Sequence, residues 1–295
     1  TVPSTLFTLD YAEHGPQLSI GNANLQSFSA KSLTKIFRGY QTKFAQSLLE
    51  STKQNTDLIH NHGLWMFPNI YARAAAVANN IPLVISPRGM LEEWSLKRSS
   101  LKKKIAWAAY ERQNIKSAAG FHATSQAEAS SIRNLGFTQP VAVIPNGITP
   151  PRLESLPERT ILEKLFPSCS DKKWLLFMSR IDPKKGIDVL LRAWANLSSY
   201  HAQWQLIIAG PDLIGWQSTL EKLAQSLELE SSVSFTGMLS GKEKQSALAN
   251  AELFVLPTHS ENFGIVIAES LAHQLPVITT KEAPWEELDS RQCGW

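Results

Sequence analysis

The stretch Leu253-Phe-Val-Leu-Pro-Thr-His-Ser-Glu-Asn-Phe-Gly-Ile-Val-Ile-Ala-Glu269 decides the fold. Its first four residues form a short apolar run that Pro257 ends, as in a buried strand. A polar loop follows. From Gly264 an apolar pattern with helical spacing runs to about His273, and Pro276-Val-Ile-Thr279 is apolar again. Strand, loop, helix and strand in such quick succession predict a crossover unit with parallel strands.

The same rhythm extends outward. Upstream, apolar runs at 174–178, 205–209 and 233–235 alternate with helical patterns at 187–197, 217–227 and 242–250. Nearer the start, runs at 57–62, 82–86, 120–124 and 141–144 alternate with helical patterns at 68–79, 101–116 and 126–135. Between the halves cluster Pro145, Pro150, Pro151, Pro157 and Pro167. The reading is α/β, with two doubly wound Rossmann-like domains: an N-terminal domain over 1–150, a linker over 151–170 and a C-terminal domain over 171–295. In such sheets ligands bind beyond the carboxyl ends of the strands, so the loops after the strands are where chemistry is sought.

Composition narrows the classes. The chain has 295 residues, 43% hydrophobic and 19% charged, which excludes a disordered protein and suits about two domains. A net charge of +3 is too mild to imply nucleic acid. No apolar run is long enough to span a bilayer. Two cysteines, Cys169 and Cys293, make no disulfide framework and no zinc cluster. No leader pattern follows Thr1, and the expected setting is cytoplasmic, with a peripheral place at the inner face of the membrane.

Three loops carry the candidate chemistry. In the quoted stretch Glu261 lies in the loop and Glu269 about two turns along the helix, roughly 12 Å apart along its axis. That span fits the two ends of a sugar nucleotide. The amides near Asn262, Phe263, Gly264 and Ile265, at the helix start, can hold oxygens between them. The same spacing also fits a capped amphipathic helix with one glutamate solvated. Ser179-Arg180-Ile-Asp-Pro-Lys184-Lys185-Gly186 puts Arg180 at a strand end and Lys185 at a helix start, a pair of cations suited to a diphosphate, or simply a basic loop. His60-Asn-His62-Gly63 places two imidazoles on one strand face, with no third ligand at metal spacing. Ser86-Pro-Arg88 offers another cation, or a structural ion pair. Thr124-Ser-Gln-Ala-Glu128 reads as a helix cap. Between Ser95 and Tyr110 stand Lys97, Arg98, Lys102, Lys103 and Lys104 with Trp107 and no acidic residue, which suits an anionic membrane surface or a solvated helix face over buried aromatics. No Gly-x-Gly-x-x-Gly occurs, and Gly237-Met-Leu-Ser-Gly241-Lys242-Glu243 is too short for a P-loop.

Together these motifs resemble family 4 of the retaining glycosyltransferases, which have two facing Rossmann-like domains, the GT-B fold. The Arg180-x4-Lys185 and Glu261-x7-Glu269 pairs carry most of the resemblance; His62-Gly63, Thr124-Ser125 and Pro145-Asn-Gly147 extend it to the first half. The resemblance implies that Arg180 and Lys185 hold the donor diphosphate, that Glu261 contacts the transferred sugar and that Glu269 contacts the ribose. Catalysis would then rest on Arg180, Lys185 and Glu261. It implies a UDP- or GDP-linked sugar as donor substrate, no further cofactor and no metal. It implies as acceptor a glycan or a lipid-linked molecule, in cell-surface polysaccharide synthesis. Many relatives have a histidine where this chain has Arg88, and the chain resembles a subgroup with Ser-Pro-Arg-Gly-Met-Leu there. His62, Gly63 and Arg88 are the acceptor-side candidates.

Two differences from that pattern suggest a fragment of a longer enzyme, itself weakly active or inactive. No first strand with a glycine-rich loop is evident before Asp57, and the chain stops at Trp295, before the helices with which relatives cross back to the first domain. The competing readings are a sugar-nucleotide epimerase of similar fold, which needs no acceptor, and a non-catalytic nucleotide- or carbohydrate-binding module, which binds donor without transfer.

Overall fold

A computed structural model describes residues 2–11, 21–98 and 100–295. The chain divides into two compact units, Thr1–Pro145 and Asn146–Trp295.

In the first unit the elements are β1 (Thr5–Asp10), β2 (Asn24–Ser29), α1 (Ser32–Ile36), α2 (Thr42–Ser51), β3 (Ile59–His62), α3 (Phe67–Asn79), β4 (Leu83–Ser86), α4 (Glu93–Lys97), α5 (Ser100–Ala106), α6 (Arg112–Lys116), β5 (Gly120–Ala123), α7 (Gln126–Asn134) and β6 (Val141–Val143). Strands β3, β4, β5 and β6 form a parallel sheet in that order. In β3 alternate residues are buried: Ile59 and Asn61 point into the core while His60 and His62 are exposed. The 56 residues before Asp57, expected to lack a first strand, contain two. β1 and β2 pair in parallel as a sheet of their own. They join the core through aromatic rings: Phe7 stacks on Phe28 at 6.1 Å, and Phe44 of α2 packs 5.1 Å from Phe28 and 6.0 Å from Tyr71 of α3. Most of the segment after β1, where a glycine-rich loop was sought, lies outside the described residues.

The single helix expected over 101–116 is α5, a π turn at Trp107–Glu111, and α6. The turn contains Glu111, which is fully buried. Its carboxylate accepts from the Trp65 amide at 2.9 Å and from Asn114 Nδ2 at 2.9 Å. Burial pushes its pKa up, against those two donors.

In the second unit the elements are α8 (Thr160–Leu165), β7 (Lys173–Met178), α9 (Ile187–Ala195), β8 (Trp204–Ala209), α10 (Gln217–Ser226), β9 (Val233–Gly237), α11 (Gly241–Asn250), β10 (Leu253–Leu256), α12 (Ile265–Ala272), β11 (Val277–Thr279) and α13 (Glu287–Ser290). The sheet is parallel, in the order β11-β10-β7-β8-β9. The chain therefore winds outward from β7 through β8 to β9, then returns to the other side of β7 as β10. The reversal lies between β7 and β10, where a doubly wound sheet opens a crevice for ligands. The strands are apolar on both faces, as parallel strands covered on both sides must be: Trp174, Leu176, Phe177, Leu206, Ile207 and Phe254 are wholly buried.

The segment 151–170, expected as a linker, packs as part of this unit. Leu162 and Cys169 are fully buried in its core. Ser246 Oγ donates to the Glu158 carbonyl at 2.8 Å, Asn250 Nδ2 to that of Pro157 at 3.0 Å, and the Trp174 indole to that of Cys169 at 2.8 Å. Prolines mark a break in regular structure here, but the apolar face of α8 needs a core to cover it.

Candidate functional site

The loops after β7 and β10 meet at the reversal of the second sheet. Gly186, with φ of +67°, is the residue on which α9 begins, and a Cβ there would lie 2.0 Å from the Pro257 carbonyl oxygen. Only glycine permits both the left-handed backbone and that approach. The contact is fixed from the other loop: the His259 amide and the Thr258 hydroxyl both donate to the Lys184 carbonyl, at 2.8 and 3.1 Å. Asp182 caps the turn by accepting from the Lys184 amide at 2.9 Å. A second close approach, of Gly210 after β8, puts its missing Cβ 1.7 Å from the Ser179 carbonyl oxygen.

Within this frame Lys185 and Glu261 form an ion pair, Nζ to Oε2 at 2.5 Å, with side chains only 7% and 14% exposed. Glu261 is further held by its own amide, which donates to the Glu282 carbonyl at 3.1 Å, and by the Asn262 amide, which donates to Oε1 at 3.1 Å. Two charges out of water are tolerable only when paired and hydrogen-bonded in this way. Gly264, with φ of +75°, starts α12, and the Phe263 carbonyl accepts from the Trp285 indole.

Glu269, on α12, pairs with Lys244 of α11 through Oε1 at 2.6 Å, while its Oε2 is buried with no hydrogen-bond partner. Such an orphaned acceptor costs free energy unless something donates to it. Arg180, just past the end of β7, is exposed, and no ion pair holds its guanidinium among the described residues. Of the residues singled out by sequence, Lys185 and Glu261 thus touch each other, and Asn262 through Ile265 follow on at the start of α12. Lys244 went unnoticed in the sequence, where its neighbourhood was considered only as a failed P-loop.

The first unit gathers its own candidates at the carboxyl ends of β3, β4 and β5. Arg88 donates to His62 Nδ1 through Nε at 3.3 Å. His60 and His62 rings lie 4.3 Å apart. His122, absent from the sequence reading although its place in β5 gives it the same alternation, joins them: its Nδ1 is 3.3 Å from His60 Nε2, and its Nε2 lies 2.9 Å from the Ile144 carbonyl. Loss of hydration, then the nearby His60, Arg88 and His122, hold the His62 pKa down at about 4. His60 is lowered for the same reasons, burial first, then His122 and Arg88. Among the described residues no group of three or more His, Cys, Asp or Glu is placed to hold a metal ion.

Glu128 sets the loop that carries Arg88. Ser125 caps α7, as the sequence suggested, its Oγ accepting from the Glu128 amide at 3.2 Å, and the Glu128 carboxylate does more. Fully buried, it accepts from the Gly89 amide at 2.7 Å through one oxygen, and from the Thr124 amide at 2.7 Å and hydroxyl at 3.0 Å through the other. Arg88 and Gly89 both have positive φ, +55° and +75°, a tight turn that these bonds hold in place. Gly63 is met by Met90, whose Sδ accepts from the Leu64 amide at 3.1 Å.

Both units resemble domains of known families. Residues 160–288 match the family of glycosyl transferases group 1, and residues 3–147 match the glycosyl transferase 4-like domain. The two matches fall one in each compact unit. D-inositol 3-phosphate glycosyltransferase of Kineococcus radiotolerans is 26% identical over 238 residues, which are 77% of this chain and 54% of that protein. Alpha-monoglucosyldiacylglycerol synthase of Streptococcus pneumoniae is 36% identical over 107 residues, 36% of this chain and 24% of the synthase. The chain thus spans about half, or less, of the length of these relatives. Among solved structures, Anabaena HepE in complex with UDP and glucose aligns with a TM-score of 0.70 at 19% identity, over 96% of this chain and 82% of that one. WaaG, a glycosyltransferase involved in lipopolysaccharide biosynthesis, aligns with a TM-score of 0.69 at 19% identity, over 100% and 85%. The fold is GT-B, with parallel α/β sheets in both units.

Proposed function

We propose that this protein transfers a sugar from a UDP- or GDP-linked donor to a glycan or lipid-linked acceptor, with retention at the anomeric carbon and without a metal or further cofactor. The observation that carries this reading is the coincidence, at the reversal of the second sheet, of the buried Lys185–Glu261 pair with the orphaned Oε2 of Glu269. One end of a sugar nucleotide is a ribose diol, which donates to Glu269. The other is the sugar, whose hydroxyls donate to Glu261. Between them Arg180 and Lys185 meet the diphosphate. When the glycosidic C–O bond breaks, negative charge grows on the leaving phosphate, and fixed cations there stabilise the transition state more than the ground state. Lys185 is released from Glu261 in part to do so. The leaving phosphate oxygen takes the acceptor proton on the same face, which gives retention.

His62, Gly63 and Arg88 serve the acceptor. A place in cell-surface polysaccharide synthesis is in keeping with WaaG, a glycosyltransferase involved in lipopolysaccharide biosynthesis, and the basic residues from Lys97 to Tyr110 suit a peripheral position at the inner face of the membrane. No described helix is long and apolar enough to cross a membrane. The test is a screen of UDP- and GDP-sugars for binding, followed by nuclear magnetic resonance of the glycoside formed from the bound donor and simple acceptors. An α-linked donor giving an α-linked product supports the reading. Donor binding without any transfer in the full-length protein points to a binding module, and an epimerised sugar without acceptor points to an epimerase.

A further inference from the structure

Three histidines of the first unit hold one another in a fixed order of donors and acceptors. His60 and His62 stand on the exposed face of β3, and His122 reaches His60 from β5, across β4. The partners of each ring assign its hydrogens. A backbone carbonyl only accepts, so His122 Nε2, 2.9 Å from the Ile144 oxygen, carries a hydrogen. In the neutral ring Nδ1 is then the bare nitrogen, and it accepts from His60 Nε2 at 3.3 Å. His60 therefore has its hydrogen on Nε2 and its lone pair on Nδ1. A guanidinium only donates, so His62 Nδ1, 3.1 Å from Arg88 Nη2, is an acceptor and the His62 hydrogen sits on Nε2.

Two ring nitrogens are left over, on rings 4.3 Å apart. His60 Nδ1, an acceptor, and His62 Nε2, a donor, make no hydrogen bond among the described residues. Burial, ahead of the neighbouring charges, lowers the pKa of both rings and keeps them neutral. This pattern sorts ligands by their chemistry. A hydroxyl both donates and accepts, and finds a partner here for each. An ionised phosphate or carboxylate oxygen only accepts, and meets the lone pair of His60 Nδ1 with one of its own. Arg88, which attracts such an anion, already turns Nε and Nη2 to His62.

We infer that His60 and His62 form a subsite that reads adjacent hydroxyls of a neutral sugar, with His122 and Arg88 as positioning residues that fix the two tautomers. The inference rests on the transferase reading and narrows it: the part of the acceptor that meets this strand face is a pair of hydroxyls, not a phosphate or a carboxylate. One hydroxyl donates to His60 Nδ1, and its neighbour accepts from the N–H of His62 Nε2. Which nitrogen of an imidazole carries the hydrogen is set by the bond that the other nitrogen makes. Loss of His122 therefore lets His60 place its hydrogen on Nδ1, which turns the acceptor into a second donor. Loss of Arg88 lets His62 do the same, which removes the donor.

The test is nitrogen-15 resonance of the histidine rings in the full chain at about pH 8, where imidazoles are ordinarily neutral. All three rings should carry their hydrogen on Nε2, and those of His60 and His122 should exchange slowly with water. In H122F the slow exchange at His60 should be lost. Methyl glucoside, methyl galactoside and methyl mannoside are then titrated without donor, beside inorganic phosphate. A sugar should shift the His60 Nδ1 and His62 Nε2 resonances, and phosphate at equal concentration should not. H60F should weaken that sugar about 2- to 10-fold, as expected for one hydrogen bond. H122F should weaken it by a similar factor, and H122N, whose amide oxygen takes the place of Nδ1, should restore it. A His60 hydrogen on Nδ1, no response to any of the three sugars, or phosphate acting in their place overturns the subsite. H122N binding no better than H122F overturns His122 as a positioning residue. Fixed tautomers and sugar binding, with no transfer from any donor, support the subsite and overturn the transferase reading instead.

Discussion

The two units build their candidate sites in opposite ways. In the second, the loops after β7 and β10 press backbone against backbone at Gly186 and Pro257, and the chemistry-bearing pair is nearly out of water. In the first, His60 and His62 stand on the exposed face of β3 and Arg88 in the loop after β4, and what is fully buried is the carboxylate behind that loop, Glu128. The cores differ likewise. The second is filled with wholly buried Trp174, Phe177 and Phe254, while the first leans on alanines such as Ala72, Ala75, Ala76 and Ala123. The lesson is that a crevice at a sheet reversal can hold a rigid, desolvated site, whereas a strand face must orient exposed groups from behind.

The largest effect tests that rigidity. Gly186→Ala puts a methyl group 2.0 Å from a backbone oxygen that cannot move aside, and should cost about 4 kcal/mol or more in thermal or denaturant unfolding of the second unit. Gly63→Ala has the same strained φ, +76°, but meets only the flexible end of Met90, at 3.3 Å, and should cost about 1 kcal/mol. Equal costs would erase the contrast between the units.

The next effect separates buried from half-exposed charge within the second unit. Lys185→Ala leaves Glu261 buried and unpaired, and should cost about 3–5 kcal/mol by urea titration. Lys244 and Glu269 are 32% and 22% exposed, so Lys244→Ala should cost about 1 kcal/mol at most. In the first unit, Glu128→Ala removes the acceptor of the Gly89 and Thr124 amides and should cost about 2–3 kcal/mol, seen in the melting of that unit. Retained stability would mean that the Arg88 loop is held some other way.

The last effect is one of pH. His62 should stay neutral until pH falls to about 4, which a proton resonance titration reads directly. The unfolded chain takes up that proton at its ordinary pKa of about 6.5, so native stability should fall as pH drops from about 6.5 towards 4. Arg88→Gln should raise the His62 pKa by removing one of its neighbouring charges. A His62 titrating at its ordinary value would mean that the cluster does not form.

Much of the fold was legible in the sequence, because parallel strands buried on both faces announce themselves as apolar runs; Arg180, Lys185 and Glu261 were read in the loops after them, and Glu269 on the helix that is α12. Other features were not. The ion pair of Lys185 with Glu261 joins residues 76 apart, a distance only the sheet order closes. Lys244 reaches Glu269 from another helix for the same reason. His122 had a signal, its strand alternation, but its partner His60 is two strands away. The β1–β2 pair was overlooked because its strands are only half-buried and lack the continuous apolar character of the others.

The central claim is that the reversal of the second sheet is a donor site with its roles divided. Isothermal calorimetry with UDP and with UDP-glucose, in parallel, tests it on Arg180→Ala, Glu261→Ala and Glu269→Ala. Arg180→Ala should weaken both ligands about 10- to 150-fold, since hydrogen bonds to charged groups contribute about 1.5–3 kcal/mol each. Glu269→Ala should weaken both as well, and Glu261→Ala chiefly the sugar nucleotide. Equal effects of the two glutamates on both ligands, or unchanged binding without Arg180, would contradict the account.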